Sequence, residues 1–150
     1  MTYRPVELIA GESPTYQSAG GVIVVAGAVL LEHRPNDRKV YPDCWDIPGG
    51  HLHPGEPPER ALVRELHEEL GIEVEKVALC TVQDDCEPKS GRLYRHYNYV
   101  VRSFRGEVVA REEQTLRWWP IEEALASNSL NPIATFVLRV CVAENWLDGL

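Results

Sequence analysis

The segment Pro58–Leu70 restricts this chain more than any other stretch. Pro57 and Pro58 stand where a helix can begin, because a proline in the first turn loses no hydrogen bond. Gly71 stands where one should stop, since glycine readily takes the left-handed conformation that closes a helix. At about 100° per residue, Leu62, Val63, Leu66 and Leu70 share one side and form a stripe that must bury against other elements. Glu65, Glu68 and Glu69 fall at i, i+3 and i+4 on a neighbouring face. Like charges so placed repel. The cluster is therefore either an ordinary crowded polar face or a set of oxygens gathered for a hard cation. Magnesium takes carboxylates together with waters and substrate phosphate. The turn Pro48-Gly49-Gly50 lets backbone approach closely, so a carbonyl can join the carboxylates.

The charge balance fits a small-molecule enzyme better than a nucleic-acid binder. The formal net charge is −8, whereas a protein that grips long DNA or RNA presents a basic face. No nucleic-acid polymer is expected as a partner. The 44% hydrophobic and 25% charged residues are globular values. Residues 1–150 read as one domain, with 1–18 as an N-terminal arm and the core over about 19–147. Cys44, Cys80, Cys86 and Cys141 contain no C-x-x-C pair, so zinc-ribbon spacing is absent and reduced thiols of a cytoplasmic protein are expected. Met1–Gly20 lacks the pattern of a signal peptide. The apolar run Gly20–Leu31, broken by glycine, falls short of the roughly 20 residues of a membrane span, so no membrane association is expected.

Elsewhere, alternation and punctuation define the elements. A short strand is predicted at Val6–Ile9, and β-branched residues predict two strands or one bent strand over Gly21–His33. Pro35–Asp46 reads as a loop. Ile72–Asp84 reads as one or two strands, Asp85–Gly91 as a loop, and Leu93–Phe104 as an aromatic strand. Gly106 should turn the chain so that Glu107–Ala110 returns as a hairpin arm. A strand at Thr115–Trp119, a short helix at Pro120–Ser127 and a terminal helix at Pro132–Leu147 complete the order. Strands interleaved with a central and a terminal helix predict an α/β class, an α/β/α sandwich on a mixed sheet.

The whole stretch Gly50–Ile72, GHLHPGEPPERALVRELHEELGI, resembles the Nudix box, G-x5-E-x7-R-E-U-x-E-E-x-G-U with U apolar. It matches at Gly50, Glu56, Arg64, Glu65, Leu66, Glu68, Glu69, Gly71 and Ile72. At average composition the fixed letters match by chance with a probability of about 10⁻⁸ per starting position, so coincidence is not a competing explanation. The W-x-x-P-G-G lead-in Trp45–Gly50 and the later Glu113–Trp118 segment resemble the same family, in its MutT-like subgroup.

That resemblance implies a loop–helix–loop catalytic unit that hydrolyses nucleoside diphosphate linkages with Mg²⁺, or Mn²⁺ in its place. It implies that Glu65, Glu68 and Glu69 are metal ligands or the general base, with Glu65 the favoured base. The Gly49 carbonyl would be a further ligand. Glu113 would bring a fourth carboxylate, with Glu112 as its fallback. Arg64 would orient a carboxylate and Glu56 would fix the loop, while Gly50, Glu56 and Gly71 serve the motif's structure. Three residues outside the box are candidates for substrate contact. Arg34 resembles a phosphate-contacting position and is otherwise a strand-end arginine. Asn131 resembles a purine-reading position and is otherwise a helix cap. Trp119 could stack on a base or pack in the core. The leading substrate is a nucleoside triphosphate, including an oxidised purine deoxynucleotide, cut to the monophosphate and pyrophosphate. ADP-ribose or a nucleotide sugar is the alternative, prompted by Pro88. A catalytically silent nucleotide sensor is the alternative of another class, and the intact box argues against it. A homodimer is compatible with the family.

Overall fold

The computed structural model describes Pro5 and residues 13–33, 43–86 and 90–150. The predicted strand Val6–Ile9, Arg34, most of the predicted loop Pro35–Asp46, and Pro88 lie outside the described residues. The strands are β1 (Tyr16–Val22), β2 (Val24–Val25), β3 (Ala28–His33), β4 (Trp45–Asp46), β5 (Gly49–His51), β6 (Glu73–Cys86), β7 (Leu93–Arg105) and β8 (Thr115–Pro120). The helices are α1 (Pro58–Leu70), α2 (Ile121–Ala126) and α3 (Pro132–Ala143).

A mixed four-stranded sheet runs in the order β5-β1-β7-β6. Its parallel pair is β1 with β7, while β5 and β6 run antiparallel to their neighbours. A second sheet is wholly antiparallel: β2, β4 and β8 each pair with β3. The α/β class with a mixed sheet is as predicted. The second sheet was not, because it depends on β8 returning to β3 from far along the chain.

Two apolar clusters cover opposite sides of this framework. Strand alternation sorts residues between them. Ala19, Ile23, Leu30, Tyr99 and Val101 pack with Ala61, Leu62, Leu66 and Leu70 of α1. Val22, Val29, Leu31 and Val100 pack with Ala134, Val137, Leu138 and Cys141 of α3. Each fully buried leucine contributes about 1.5–3 kcal/mol of transfer free energy, so the α1 stripe alone fixes the helix on the sheet. Val63 is a correction to that stripe. It is exposed, and the buried positions are Ala61, Leu62, Leu66, Glu69 and Leu70. The helix turns a little further toward its carboxylate face than the leucine spacing suggested.

Several boundaries also move. β1 begins at Tyr16, inside the predicted arm, because Tyr16, Gln17 and Ser18 pair in register with Tyr94, Arg95 and His96. β6 is one strand with bulges and continues through Cys86. Glu107–Ala110 forms no hairpin arm. Instead, Val109 N–H donates to Leu70 O and Arg111 N–H to Glu69 O, both at 3.0 Å. Those carbonyls end α1 and have no acceptor role inside it, so the segment caps the helix rather than extending the sheet. α3 stops at Ala143, short of the predicted Leu147. Asn145 takes a left-handed φ of 58°, and Trp146 and Leu147 fold back onto the α3 cluster. Among the described residues, no helix is long and apolar enough to cross a membrane.

Candidate active site

The site is built where β5 runs into α1. Gly49 and Gly50 lie at the edge of the mixed sheet, paired with Gly20 and Ala19 of β1. A Cβ on Gly49 would collide with the Ala19 carbonyl and sit 2.8 Å from Gly20 Cα. A Cβ on Gly50 would lie 2.5 and 2.7 Å from the two carboxylate oxygens of Glu65. The first glycine therefore lets two backbones touch, and the second leaves a seat for a carboxylate.

Arg64 holds that carboxylate in place. Its Nε and Nη2 donate to the two oxygens of Glu56 at 2.9 and 2.8 Å. Nη2 also donates to His51 O at 3.0 Å. Nη1 donates to Glu65 Oε1 at 2.8 Å and to Glu68 Oε2 at 3.3 Å. A guanidinium has five N–H donors in a fixed fork, and here each has an acceptor. Glu56 receives His53 N–H as well, at 3.0 Å. The Arg64 hydrogen bonds, aided by that backbone donor, hold its carboxyl down at about 2. The guanidinium's own proton is held more tightly in turn, chiefly by Glu56. Loop, helix and sheet edge are thus tied through one side chain. The crowding expected among the glutamates is relieved by the same cation.

The three clustered carboxylates occupy different environments. Glu68 is half-exposed, while the Glu65 side chain is mostly covered. Glu69 is 2% exposed. The Glu69 main-chain oxygen accepts from Arg111 N–H and from Gln114 Nε2, each at 3.0 Å. These bonds bring the loop carrying Glu112 and Glu113 to the end of α1. Glu113 sits there at a left-handed φ of 60°. Gln114 is buried and was not singled out in the sequence; the E-x4-W spacing pointed at its neighbour but not at the residue that anchors the loop.

These groups suit a divalent cation in kind: all offer hard oxygens, on one helix and the adjoining turn. They are not gathered for one in this conformation. Among the described residues, no three His, Cys, Asp or Glu side chains form a metal-holding group, and Glu65 and Glu68 are turned toward Arg64.

The residues proposed for substrate contact are distributed differently. Arg34 lies outside the described residues. Trp119 is buried, its ring 5.4 Å from Trp45 and beneath the Arg117 guanidinium at 3.9 Å. Asn131 caps α3, its Oδ1 accepting from Ile133 N at 2.8 Å and Ala134 N at 3.4 Å. Of the alternatives open for these two, the structure shows core packing and the cap. Gly71 ends α1 at φ 72°, its N–H donating to His67 O.

A polar belt that the sequence reading missed crosses the mixed sheet. Alternation puts Asn98 on the same face as Val100, toward α3. Asn98 Nδ2 donates to Thr81 Oγ1 and Gln83 Oε1, both at 3.2 Å. Thr81 Oγ1 donates to Gln83 Oε1 at 2.9 Å. Ser18 Oγ lies 2.7 Å from His96 Nδ1. Burial, and then the nearby His51, push the His96 pKa down to about 4, so the ring is neutral at pH 7. Gln83 is 3% exposed, yet its Nε2 has no partner, and neither does buried His96 Nε2. Each such group costs about 1–3 kcal/mol when left unsatisfied. The available signal was the polar alternation His96, Asn98 inside a strand otherwise rich in apolar residues.

The NUDIX domain profile matches residues 15–139. The chain belongs to the Nudix family, and it is a hydrolase of phosphorus-containing anhydrides; the family generally uses divalent metal ions. Among curated proteins it is 42% identical over 114 residues to the nucleoside triphosphatase NudI of an Enterobacter species, spanning 70% of this chain and 81% of that one. It is 38% identical over 99 residues to the CTP pyrophosphohydrolase of Escherichia coli, covering 66% and 71% respectively. Among solved structures, a MutT NUDIX hydrolase from Burkholderia pseudomallei superposes with a TM-score of 0.75 at 31% identity, covering 85% of this chain and 98% of that one. The Escherichia coli ORF135 protein superposes with a TM-score of 0.74 at 32% identity, covering 89% and 93%.

Proposed function

We propose that this enzyme hydrolyses a nucleoside triphosphate to the monophosphate and pyrophosphate, with Mg²⁺, or Mn²⁺ in its place, as cofactor. The observation that carries this reading is the seat on Gly50, where Arg64 presents Glu65 beside buried Glu69. The cofactor would be held by Glu65, Glu68, Glu69 and the Gly49 carbonyl, with Glu113 added from the loop anchored on Glu69 and Glu112 as its fallback. When bound, the metal supplies charge neutralisation at the phosphoryl oxygens. Glu65 takes the proton of the attacking water. Arg64 fixes the direction in which Glu65 points, and Glu56 fixes Arg64. Phosphoryl and nucleotidyl transfer depend mainly on such positioning and on electrostatics, which is what this arrangement offers. The names of the similar curated proteins, a nucleoside triphosphatase and a CTP pyrophosphohydrolase, support a triphosphate.

The belt supports a preference among bases. With the Ser18 hydroxyl donating to Nδ1, the neutral His96 ring carries its proton on Nε2; Gln83, paired with His96 across β6 and β7, adds Nε2 as a second donor, and the two suit a base edge with two adjacent acceptors. Cytosine has O2 and N3, and guanine has O6 and N7. Adenine has no such adjacent pair on an open edge. Triphosphates of cytosine or guanine should therefore be cleaved about tenfold more efficiently than ATP, the ratio for one hydrogen bond of about 1.4 kcal/mol.

Phosphorus NMR of the products, run with Mg²⁺ on a panel of triphosphates, an oxidised purine deoxynucleotide and ADP-ribose, tests both statements. Pyrophosphate and monophosphate are expected. Diphosphate with orthophosphate would overturn the bond assignment, and far better turnover of ADP-ribose would overturn the substrate class. An ATP rate equal to or above the others would remove the belt from base recognition.

A further inference from the structure

Cys80 and Cys141 stand 61 residues apart in sequence, and their Sγ atoms lie 3.4 Å apart. The two reach each other through a defect in the sheet. Leu79 pairs with Tyr99 and Thr81 pairs with Asn98, consecutive residues of β7, so Cys80 is the extra residue of a bulge in β6. Bulges re-aim side chains. Leu79 just before it and Val82 two residues on are exposed, whereas Cys80 packs against the α3 cluster. Cys141, on α3, is fully buried in that cluster. Both are free thiols, and the half-buried Cys80 is the member open to a reagent.

We propose that this pair is a site of thiol–disulfide exchange that closes on reaction with a low-mass disulfide and staples α3 to β6. The Cys80 thiolate attacks one sulfur of the reagent, forming a mixed disulfide and releasing the other half as thiolate. Cys141, already in contact, then attacks Cys80 Sγ; its proton goes to solvent, and the second half of the reagent leaves as thiolate. Two protein thiols are oxidised, one disulfide is reduced, and the two protons lost by the protein are balanced by the two thiols formed. Cys80 is partly exposed whereas Cys141 is fully buried, which gives this order of attack, and the contact between the two sulfurs lets the thiol of one stabilise the thiolate of the other. Closure requires the sulfurs to approach from contact to a bond of about 2.05 Å, a movement that a bulged strand residue can absorb.

The staple would close a loop containing β7, β8 and α2, removing freedom from the unfolded chain. Oxidation should therefore raise the melting temperature by roughly 5–10 °C, reversed by a dithiol reductant. The test treats the full chain with millimolar oxidised glutathione, then alkylates it and maps peptides without reduction. A Cys80–Cys141 cross-link with a reversible rise in melting temperature is the expected result. In Cys141→Ala, Cys80 should stop as the glutathione adduct; in Cys80→Ser, Cys141 should remain alkylatable only after unfolding. Three results would overturn the proposal: a wild-type adduct at Cys80 that never resolves, reaction at Cys44 or Cys86 alone, or a cross-link with no change in melting temperature.

Discussion

Replacing Glu69 by glutamine should lower kcat by about 10²–10⁴-fold, the range for loss of a positioned acid–base or ligand carboxylate. The fold should remain cooperative. Glutamine keeps the shape of the side chain, and Glu69 anchors the 111–114 loop through its main-chain oxygen, which the substitution leaves intact. The effect should appear in kcat with saturating substrate and Mg²⁺, while a melting curve by circular dichroism keeps its sharpness. Near-wild-type turnover would remove Glu69 from the reaction. A broad or absent transition would mean instead that the carboxylate is a structural group of the core.

The second large effect separates the two glycines of β5. In Gly49→Ala the added Cβ meets main-chain atoms of Ala19 and Gly20, which cannot move without breaking the β1–β5 pairing. Overpacking against backbone should cost about 1–3 kcal/mol or more and lower the melting temperature by roughly 4–10 °C. In Gly50→Ala the Cβ meets the far end of the Glu65 side chain, which can swing away. Stability should then change by less than about 1 kcal/mol. Displacing that carboxylate should nevertheless reduce kcat/KM by about 10²-fold, the usual consequence of a misplacement near 1 Å. Measured together, the variants form a cross: one loses stability first and the other activity first. An inert Gly50→Ala would show that the Glu65 seat does not matter to the reaction.

The parts of the site that were legible in the sequence are those encoded by local signals. Pro58 and Gly71 bound α1 because each acts on its own turn of backbone. The motif implied that Arg64 would orient a carboxylate and that Glu56 would fix the loop, but that the two do so by binding each other appears only in the structure. What was not legible depends on pairing between remote segments. Tyr16–Ser18 look like arm until Tyr94–His96 arrive beside them. Glu107–Ala110 look like a hairpin arm because nothing in that segment reveals that the open carbonyls of Glu69 and Leu70 will be its acceptors. The polar belt escaped for the same reason: Gln83 and Asn98 meet only through the β6–β7 register, which bulges shift at several points. Val63 failed on a finer scale, since leucine spacing gives the direction of a stripe but not the rotation set by a buried Glu69.

The capping of α1 by the segment after Gly106 also bears on how the chain tolerates change. That segment is moored at Val109 and Arg111 by main-chain donors and at Gln114 by its side chain, all on the last residues of the helix. Between those moorings the number of residues is fixed by the spacing of the acceptors, and the side chains other than the carboxylates of Glu112 and Glu113 are free to vary. A single insertion or deletion between Arg111 and Gln114 would slide Glu112 and Glu113 along the end of α1 while leaving their chemistry untouched. For anyone redesigning this loop or grafting another onto the scaffold, length comes first, and composition is adjustable only where a carboxylate is not needed.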